Sequence, residues 1–267
     1  MAAKISVIMG IYQCADTLGA AIDSILSQTY TDWNLILCDD GSKDSTYEIA
    51  EQYRKQYPEK IILLKNDKNL GLNITLNRCL SYADGEYIAR MDGDDLSLPT
   101  RFEKEVRALD AHPEIAIIST VMQYFDADGI WGQGRAVEFP EKKDFIYGTP
   151  FCHAPCMVRR EAYQAVNGYT VDKKHLRVED YDLWVKMYVA GYRGMNLMEL
   201  LYQMRDDRNA VSRRKFRYRI NEFLVRCEAI KKLHLPLWGY LYAMRPLILA
   251  WMPRPLYEFL HKKRLQS

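Results

Sequence analysis

Three carboxylates lie within four residues in the stretch Asp92-Gly93-Asp94-Asp95, which directly follows an apolar run of strand length. Negative side chains this close together repel one another unless a cation or the loop backbone compensates their charge. Mg²⁺ and Mn²⁺ are commonly held by one or two carboxylates together with the phosphates of a substrate. The spacing fits a metal–diphosphate site, but a solvated turn that caps the next helix would use the same residues, so both interpretations stay open at this point.

Two further acidic pairs could take part in chemistry. Asp39-Asp40 follows an apolar run at residues 33–38, and Glu179-Asp180 opens a helix predicted over residues 177–190. Acidic side chains in a first turn suit the helix dipole, so helix capping is one interpretation of Glu179-Asp180. A general base for proton transfer is the other.

The elements that would position these groups alternate regularly in the first part of the chain. Strands are predicted over residues 4–12, 33–38 and 61–64, with a fourth that ends at Asp92, and helical periodicity fills the gaps between them. Such alternation predicts a parallel sheet covered by helices on both faces. Ligands bind at the carboxyl ends of these strands, where Tyr12 and the acidic residues fall.

Beyond Arg101 the pattern becomes mixed. It predicts a helix to about residue 111, a strand over 115–122, a glycine-rich hairpin near residues 128–134, and a short strand within 153–160. A helix over 161–166 comes next, followed by the helix over 177–190. This half of the chain is therefore expected to be α+β.

The bulk composition is that of a globular protein with an unusual tail. Of 267 residues, 48% are hydrophobic and 27% are charged, which does not indicate disorder. The net charge of +2 hides an asymmetry: residues 1–204 contain 22 Lys and Arg against 30 Asp and Glu, whereas residues 205–267 contain 15 against 5. Six scattered cysteines and no recognisable signal peptide predict a reduced, cytoplasmic protein.

Six motifs in order resemble the family 2 inverting glycosyltransferases of the bacterial surface-polysaccharide type, whose nucleotide-sugar-binding fold is called GT-A. They occupy residues 6–12, 24–30, 39–42, 69–72, 92–95 and 179–180. The resemblance implies an α/β catalytic domain over residues 1–204, with a mostly parallel central sheet flanked by helices. Residues 1–105 would form its nucleotide-binding half and residues 106–204 its acceptor-binding half. Residues 205–267 would be a helical extension.

The resemblance also assigns roles on the donor side. Tyr12 and Asp40 would surround the nucleobase, where the Asp40 carboxylate can accept the imide N–H of uracil. Asp92 would lie near the ribose, and Asp94 would bind Mn²⁺ or Mg²⁺, which stabilises charge on the leaving nucleoside diphosphate. Asp95 is expected only to support the loop, and Asp39 to hold the loop after its strand.

On the acceptor side, the resemblance makes Asp180 the base that deprotonates the acceptor hydroxyl, with Glu179 and His153 as supporting candidates. The family often has an arginine and a histidine before a mobile segment. Here Arg205 fits, while Asp207 stands at the position of the histidine. The candidates for a clamp on the diphosphate are Arg205, Arg208 and Arg213.

The tail predicts contact with a membrane surface. Basic residues from Arg205 onward alternate with apolar ones at helical spacing, and the apolar stretch near residues 235–252 is interrupted by Arg245 and Pro246. That interruption disfavours a spanning helix, while a basic amphipathic segment suits an anionic surface. We expect a peripheral enzyme on the cytosolic face of the membrane, with a polyprenyl-diphosphate-linked glycan as acceptor. Alternatively, these helices pack on the catalytic domain or on a second subunit of a homo-oligomer.

Rival functions lack their own signatures. A Mg²⁺-dependent phosphotransferase of the haloacid dehalogenase type needs an aspartate directly after the first strand, and this chain has Met9-Gly10-Ile11-Tyr12 there. A dinucleotide-dependent reductase would need a glycine fingerprint at the same place. A non-catalytic nucleotide-binding or assembly protein with the GT-A fold would have no need for Glu179-Asp180. The sequence therefore predicts metal-dependent transfer from a nucleotide sugar, with UDP as the expected nucleotide and no nucleic-acid partner.

Overall fold

The computed structural model describes residues 2–206 and 216–251 and has an α/β fold. The strands are β1 Ile5–Ile11, β2 Trp33–Asp39, β3 Ile61–Lys65, β4 Tyr87–Arg90, β5 Leu96–Ser97, β6 Ile117–Asp126, β7 Gly129–Gln133, β8 Met157–Arg159 and β9 Gly194–Arg205. The α-helices are α1 Ala15–Leu26, α2 Thr46–Gln56, α3 Leu72–Leu80, α4 Arg101–Ala111, α5 Arg160–Ala165, α6 Glu179–Val189, α7 Phe216–Lys232, α8 Gly239–Ala243 and α9 Arg245–Ala250. Two 3₁₀ turns lie at Lys142–Ile146 and Lys173–His175.

Within the described ranges, all nine strands form one sheet in the order β3-β2-β1-β4-β8-β6-β9-β5, with β7 paired to β6. The first four strands are parallel to one another, as the alternating pattern predicts. Antiparallel pairing begins where β8 joins β4, and the second half of the sheet is mixed, as expected. Ile11 lies opposite Asp39, so β1 and β2 end at the same level. This register brings the loops after both strands to one edge.

The core lies on both faces of the sheet. Along β1, Val7 and Met9 pack into one hydrophobic cluster and Ile8 packs into the other. Successive side chains of a strand point to opposite faces, so a strand covered on both sides is apolar throughout. Helices α1 and α4 cover one face, whereas α5, α6 and α7 cover the other.

Strand β9 is the main element to which the sequence analysis assigned no structure. Its sequence is rich in Leu and Met, which favour helices at least as well as strands. It pairs in parallel with β6, with register shifts near Val121, and antiparallel with β5. The strand therefore owes its conformation to pairing on both sides, and this places the buried Tyr202 beneath the acidic loop.

Helix α7 joins the C-terminal helices to the preceding part of the chain. Val225, Ala229 and Ile230 of α7 are buried in the same hydrophobic cluster as Trp184 of α6. The alternative that these helices pack on the catalytic domain therefore holds for this face of α7. Helices α8 and α9 lie against α7. Among the residues that the structure describes, none of the helices has both the length and the apolar character needed to cross a bilayer.

Candidate active site

Three loops meet at the carboxyl edge of the parallel strands and are fastened to one another. The Asp40 backbone N–H donates to the Ile11 carbonyl at 2.9 Å, and the Gln13 N–H donates to Ser42 Oγ at 3.0 Å. The Thr17 hydroxyl, on α1, donates to the Gly93 carbonyl at 2.9 Å. Tyr12 lies in the first of these loops and is 42% exposed. These bonds bring Tyr12, Asp40 and the Asp92-Gly93-Asp94-Asp95 loop to one edge.

Asp40 organises the loop that precedes α3. Its Oδ1 accepts hydrogen bonds from Asn66 Nδ2 at 2.8 Å and from the Leu70 N–H at 2.9 Å, and its Oδ2 accepts from the Gly71 N–H at 2.9 Å. Only 4% of Asp40 is exposed. Asp39, which is fully buried, receives the Ser42 N–H and so holds the loop after β2. The Asp40 carboxylate thus has a fixed orientation, and its Oδ2 retains capacity for one more donor.

The acidic loop Asp92-Gly93-Asp94-Asp95 begins with a residue that is already paired. Asp92 forms an ion pair with Arg90, whose Nη2 lies 2.6 Å from Oδ1 and whose Nη1 donates to Oδ2 at 2.9 Å. Arg90 is 3% exposed, and its Nε has no hydrogen-bond partner among the described residues. The sequence analysis did not select Arg90. A buried arginine at the end of a strand in front of three acidic residues was the signal that could have identified it.

Asp94 is the carboxylate best placed to hold a cation. Ligand oxygens of Asp92, Asp94 and Asp95 lie within 4.8 Å of one another. Arg90 occupies both oxygens of Asp92, whereas the side chain of Asp94 is exposed and accepts no hydrogen bond from another described residue. Desolvation by the surrounding loops, together with the charge of Asp92, raises the pKa of Asp94. A divalent cation would stabilise the ionised form of these carboxylates. Their hard oxygen ligands and their excess negative charge both fit Mn²⁺ or Mg²⁺.

Asp95 is buried and bonded to β9. Its Oδ2 accepts the Tyr202 hydroxyl at 2.8 Å, and its Oδ1 accepts the Arg205 backbone N–H at 2.8 Å. The same Tyr202 oxygen accepts the Asp92 N–H at 3.3 Å. Tyr202 therefore fixes both ends of the acidic loop, and it is a second residue that the sequence analysis missed.

Gly93 packs closely against the loop after β1. A Cβ at this position would lie 2.9 Å from Cys14 Sγ and 3.2 Å from a side-chain carbon of Ile11. Real Cβ atoms are essentially never found at the shorter distance. The absence of a side chain lets the acidic loop approach the loop after β1.

Asp180 is the second residue of α6. Burial, followed by the neighbouring negative charge of Glu179, raises the pKa of Asp180 to about 6, while Arg90 opposes the shift. The carboxyl group is therefore mostly ionised at pH 7 and is a stronger base than an ordinary aspartate. The same Arg90 that pairs with Asp92 thus acts electrostatically on Asp180.

His153 is engaged with tyrosines next to this region. Its Nε2 and the Tyr169 hydroxyl are hydrogen-bonded at 2.8 Å, and Tyr169 in turn lies 3.2 Å from the Tyr163 hydroxyl. Burial and the charge of Arg90 lower the pKa of His153 well below its usual range. His153 is therefore neutral, and the structure gives its Nε2 a protein partner.

Of the three arginines considered for the diphosphate, the structure describes Arg205. Its Nε donates to the Asp94 carbonyl at 3.3 Å, and its guanidinium stacks 4.7 Å from the centre of the Phe125 ring. Arg205 thus lies directly beside the acidic loop. Arg208 and Arg213 lie outside the described residues, as does Asp207.

Comparisons with known proteins identify the family of this chain. The model of glycosyl transferase family 2 matches residues 6–166, and that of glycosyl transferase family group 2 matches residues 87–261. The chain belongs to glycosyl transferase family 2. The identification made from its motifs is confirmed.

Relatives within the family cover nearly the full chain. The putative glycosyltransferase EpsE of Bacillus subtilis is 46% identical over 264 residues, which are 99% of this chain and 95% of EpsE. A second relative is the UDP-Glc:alpha-D-GlcNAc-diphosphoundecaprenol beta-1,3-glucosyltransferase WfaP of Escherichia coli. It is 28% identical, over 91% of this chain and 94% of WfaP.

Solved glycosyltransferases share the fold. A fragment of S. aureus TarS in complex with UDP-GlcNAc aligns with a TM-score of 0.67 and 19% identity, over 85% of this chain and 66% of the fragment. The mannosyltransferase PcManGT from Pyrobaculum calidifontis, in complex with GDP-Man and Mn2+, aligns with a TM-score of 0.67 and 19% identity. It covers 99% of this chain and 80% of PcManGT. The GT-A fold expected from the sequence is therefore confirmed.

Proposed function

We propose that this family 2 enzyme transfers a sugar, with inversion, from a UDP-sugar to a hydroxyl group of a lipid-linked glycan during the synthesis of a surface polysaccharide. The observation that carries the proposal is the meeting of three loops at the carboxyl edge of the parallel strands, which places the fixed Asp40 carboxylate at the same edge as the acidic loop of Asp92 and Asp94. Arg90 pairs with Asp92 in that loop, and its charge also acts on the carboxylate of Asp180. The names of two similar proteins support the substrates, because TarS is described with UDP-GlcNAc and WfaP with a diphosphoundecaprenol acceptor.

In the proposed reaction, Asp180 removes the proton of the acceptor hydroxyl. The hydroxyl oxygen forms a bond to the anomeric carbon as the bond from that carbon to the diphosphate oxygen breaks, and the nucleoside diphosphate leaves with the electron pair. With a pKa of about 6, Asp180 is ionised at neutral pH and ready to accept the proton. Glu179 lies beside it and raises its basicity. His153, neutral and bonded to Tyr169, would keep the wall of the acceptor site in place.

The donor would be held at the carboxyl edge of β1, β2 and β4. Asp40 would accept the imide N–H of uracil, since its carboxylate is fixed by the Leu70 and Gly71 N–H groups. Tyr12 is exposed at the same edge and can stack on the base. Asp92, held by Arg90, would lie toward the ribose.

Asp94 would bind a divalent cation, with Mn²⁺ and Mg²⁺ as the candidates. When bound, the cation would stabilise the negative charge that develops on the leaving diphosphate. Arg205 is the candidate for a protein cation beside the same phosphates, because its side chain is already anchored to the Asp94 carbonyl. Arg208 and Arg213 remain sequence-based candidates for this role.

We also propose that the enzyme works on the cytosolic face of the membrane, held peripherally by residues 205–267. That segment contains 15 basic and 5 acidic residues, and this net positive charge supports the proposal. A lipid-linked acceptor would be presented at the same surface.

A donor screen tests the function directly. Release of nucleotide from UDP-, GDP- and dTDP-sugars is measured with Mn²⁺ and an undecaprenyl-diphosphate-linked glycan, for the wild type and for Asp180→Asn. We expect turnover with a UDP-sugar, and its loss in Asp180→Asn with donor affinity nearly intact. Glu161→Gln, an exposed acidic residue on α5, is the matched control. Full turnover by Asp180→Asn would show that Asp180 is not the base, and activity with GDP- or dTDP-sugars alone would refute the UDP assignment.

A further inference from the structure

Exposed apolar side chains are concentrated in the C-terminal helices. Among the residues that the structure describes, 21 large hydrophobic side chains are exposed, and 11 of them lie within residues 216–251. Single exposed hydrophobic residues are ordinary, but soluble proteins rarely expose many of them close together. This concentration indicates a surface that has a partner.

These side chains do not belong to an unfinished core. Helix α7 already buries Val225, Ala229 and Ile230 against the catalytic domain. Helices α8 and α9 pack on α7, and the most exposed side chains lie at their ends and outer sides. Leu237 is 81% exposed, Leu241 71% and Trp251 84%. The short helices are therefore anchored through α7 while their apolar side chains face outward.

An aromatic cluster joins this surface to the catalytic domain. Tyr147, which follows the 3₁₀ turn Lys142–Ile146, has its ring centre 5.1 Å from that of Tyr242 and 6.5 Å from that of Trp238. Trp238 and Tyr242 are 6.0 Å apart, and each of the three rings remains between 43% and 51% exposed. We call the following residues the docking surface: Tyr147, Leu237, Trp238, Leu241, Tyr242 and Trp251.

The docking surface is connected to the proposed acceptor site. The hydroxyl of Tyr181, which follows Asp180 in α6, donates to the Phe145 carbonyl at 2.6 Å. Arg226 of α7 donates to the next carbonyl, that of Ile146, at 3.3 Å. The turn that carries Tyr147 is therefore held both by the helix of the proposed base and by α7.

The charge near the docking surface favours an anionic partner. Lys231 and Arg245 form no ion pair with the residues that the structure describes. In the sequence, residues 252–267 add four basic residues against Glu258 alone. Trp and Tyr combine an apolar ring with a polar tip and concentrate at the level of lipid headgroups, next to Lys and Arg.

We propose that the docking surface binds the headgroup region of an anionic lipid bilayer and so turns the acceptor half of the site toward the membrane. This inference rests on the proposed function in one respect, namely that a lipid-linked acceptor would be presented there. Binding would combine burial of apolar side chains with attraction of basic residues to anionic lipids. It should therefore weaken when salt is raised.

The test uses the full chain and phosphatidylcholine vesicles with or without phosphatidylglycerol. We expect flotation with the anionic vesicles, and quenching of tryptophan fluorescence by brominated acyl chains. A variant carrying Leu237→Ser, Leu241→Ser and Trp251→Ser should partition at least about tenfold less onto the vesicles. All three side chains are mostly exposed, so the fold should tolerate the changes. Trp238→Phe with Trp251→Phe should abolish the quenching.

The matched control carries Ile130→Ser, Val189→Ser and Met198→Ser, at positions that are 57%, 52% and 54% exposed and lie elsewhere on the surface. It should bind vesicles like the wild type. Equal binding by both triple variants, or no binding by the wild type, would overturn the proposal. So would a stable dimer in sedimentation that only the docking-surface variant loses. Nucleotide release with a water-soluble acceptor, measured without vesicles, separates the two proposals, because failure of the docking surface leaves that activity unchanged.

Discussion

Arg90 and Asp92 form a two-point ion pair in which Nη2 lies 2.6 Å from Oδ1 and Nη1 lies 2.9 Å from Oδ2. Two parallel contacts of this kind fix the plane of the carboxylate as well as its position. The guanidinium is almost fully buried, so its charge acts over a longer range than that of a surface residue. Its positive charge also lowers the pKa of Asp180 and of His153.

Replacing Arg90 should therefore change the pH dependence of catalysis as well as donor binding. Arg90→Met removes a positive charge that lowers the pKa of Asp180, so that pKa should rise and the acid limb of the rate profile should move to higher pH. The measurement is kcat/KM against pH, with Arg107→Met as control because Arg107 is exposed on α4. An acid limb at the same pH in Arg90→Met and the wild type would contradict this prediction.

Asp94 is expected to dominate cation binding. Arg90 occupies the carboxylate of Asp92, and Tyr202 and the Arg205 backbone occupy that of Asp95, which leaves Asp94 as the open ligand. Asp94→Ala should weaken Mn²⁺ binding more than about a hundredfold, as measured by electron paramagnetic resonance or calorimetry. The control is Asp84→Ala, an exposed carboxylate that precedes the same strand at its opposite end. Equal Mn²⁺ affinity in the two variants would exclude Asp94 as the principal ligand.

Asp40→Asn should test whether the second hydrogen-bond-accepting oxygen of Asp40 is needed, because the substitution keeps the size of the side chain. An amide has one accepting oxygen, so its NH₂ group would face either the Leu70 or the Gly71 N–H, both of which now donate to Asp40. We expect UDP affinity to fall about tenfold or more, with a loss of about 1–3 kcal/mol in the free energy of unfolding. Titration with UDP and urea denaturation measure the two effects. Unchanged UDP affinity would mean that Asp40 only supports its loop.

The activity of the wild-type enzyme should depend on pH through Asp180. Since its pKa is raised to about 6, the carboxyl group is protonated below that pH and cannot take the proton from the hydroxyl of the glycan acceptor. The rate should therefore fall as pH decreases through about 6 and level off above it. Asp180→Asn should lower kcat by a factor of about 10²–10⁴ and abolish this acid limb of the pH–rate profile. A limb that persists in the residual activity of the variant would belong to another group.

Much of the fold of the first hundred residues was predictable because its signals are local. The strands that precede Tyr12, Asp40 and Asp92 are mostly apolar, and an Asp-Gly pair marks the turns after β2 and β4. Arg90 pairs with Asp92 only two positions away, so that contact had a local signal, but its action on Asp180 depends on a residue far away in the chain, as does the role of Tyr202. Tyr202 reaches Asp95 across 107 positions, from a strand whose composition does not favour a strand. Pairing of β9 with β6 and β5 overrides that local preference, and no linear motif encodes it.

The hydroxyl of Tyr202 offers a last test of how the acidic loop is held. It donates to Asp95 and accepts from the Asp92 N–H, and the aromatic ring is fully buried. Tyr202→Phe keeps the ring but leaves Asp95 without one donor, in a site where desolvation and the charges of Asp92 and Asp94 already raise its pKa well above the usual range. We expect a loss of about 1–3 kcal/mol in the free energy of unfolding, seen as a lower urea midpoint at unchanged m-value. Tyr82→Phe, at an exposed tyrosine, is the control and should leave the midpoint unchanged.

Mn²⁺ binding should weaken in Tyr202→Phe as well, because the loop that loses this hydrogen bond also carries Asp94. A loss of stability with unchanged Mn²⁺ affinity would show that Tyr202 supports the fold without positioning the metal ligands.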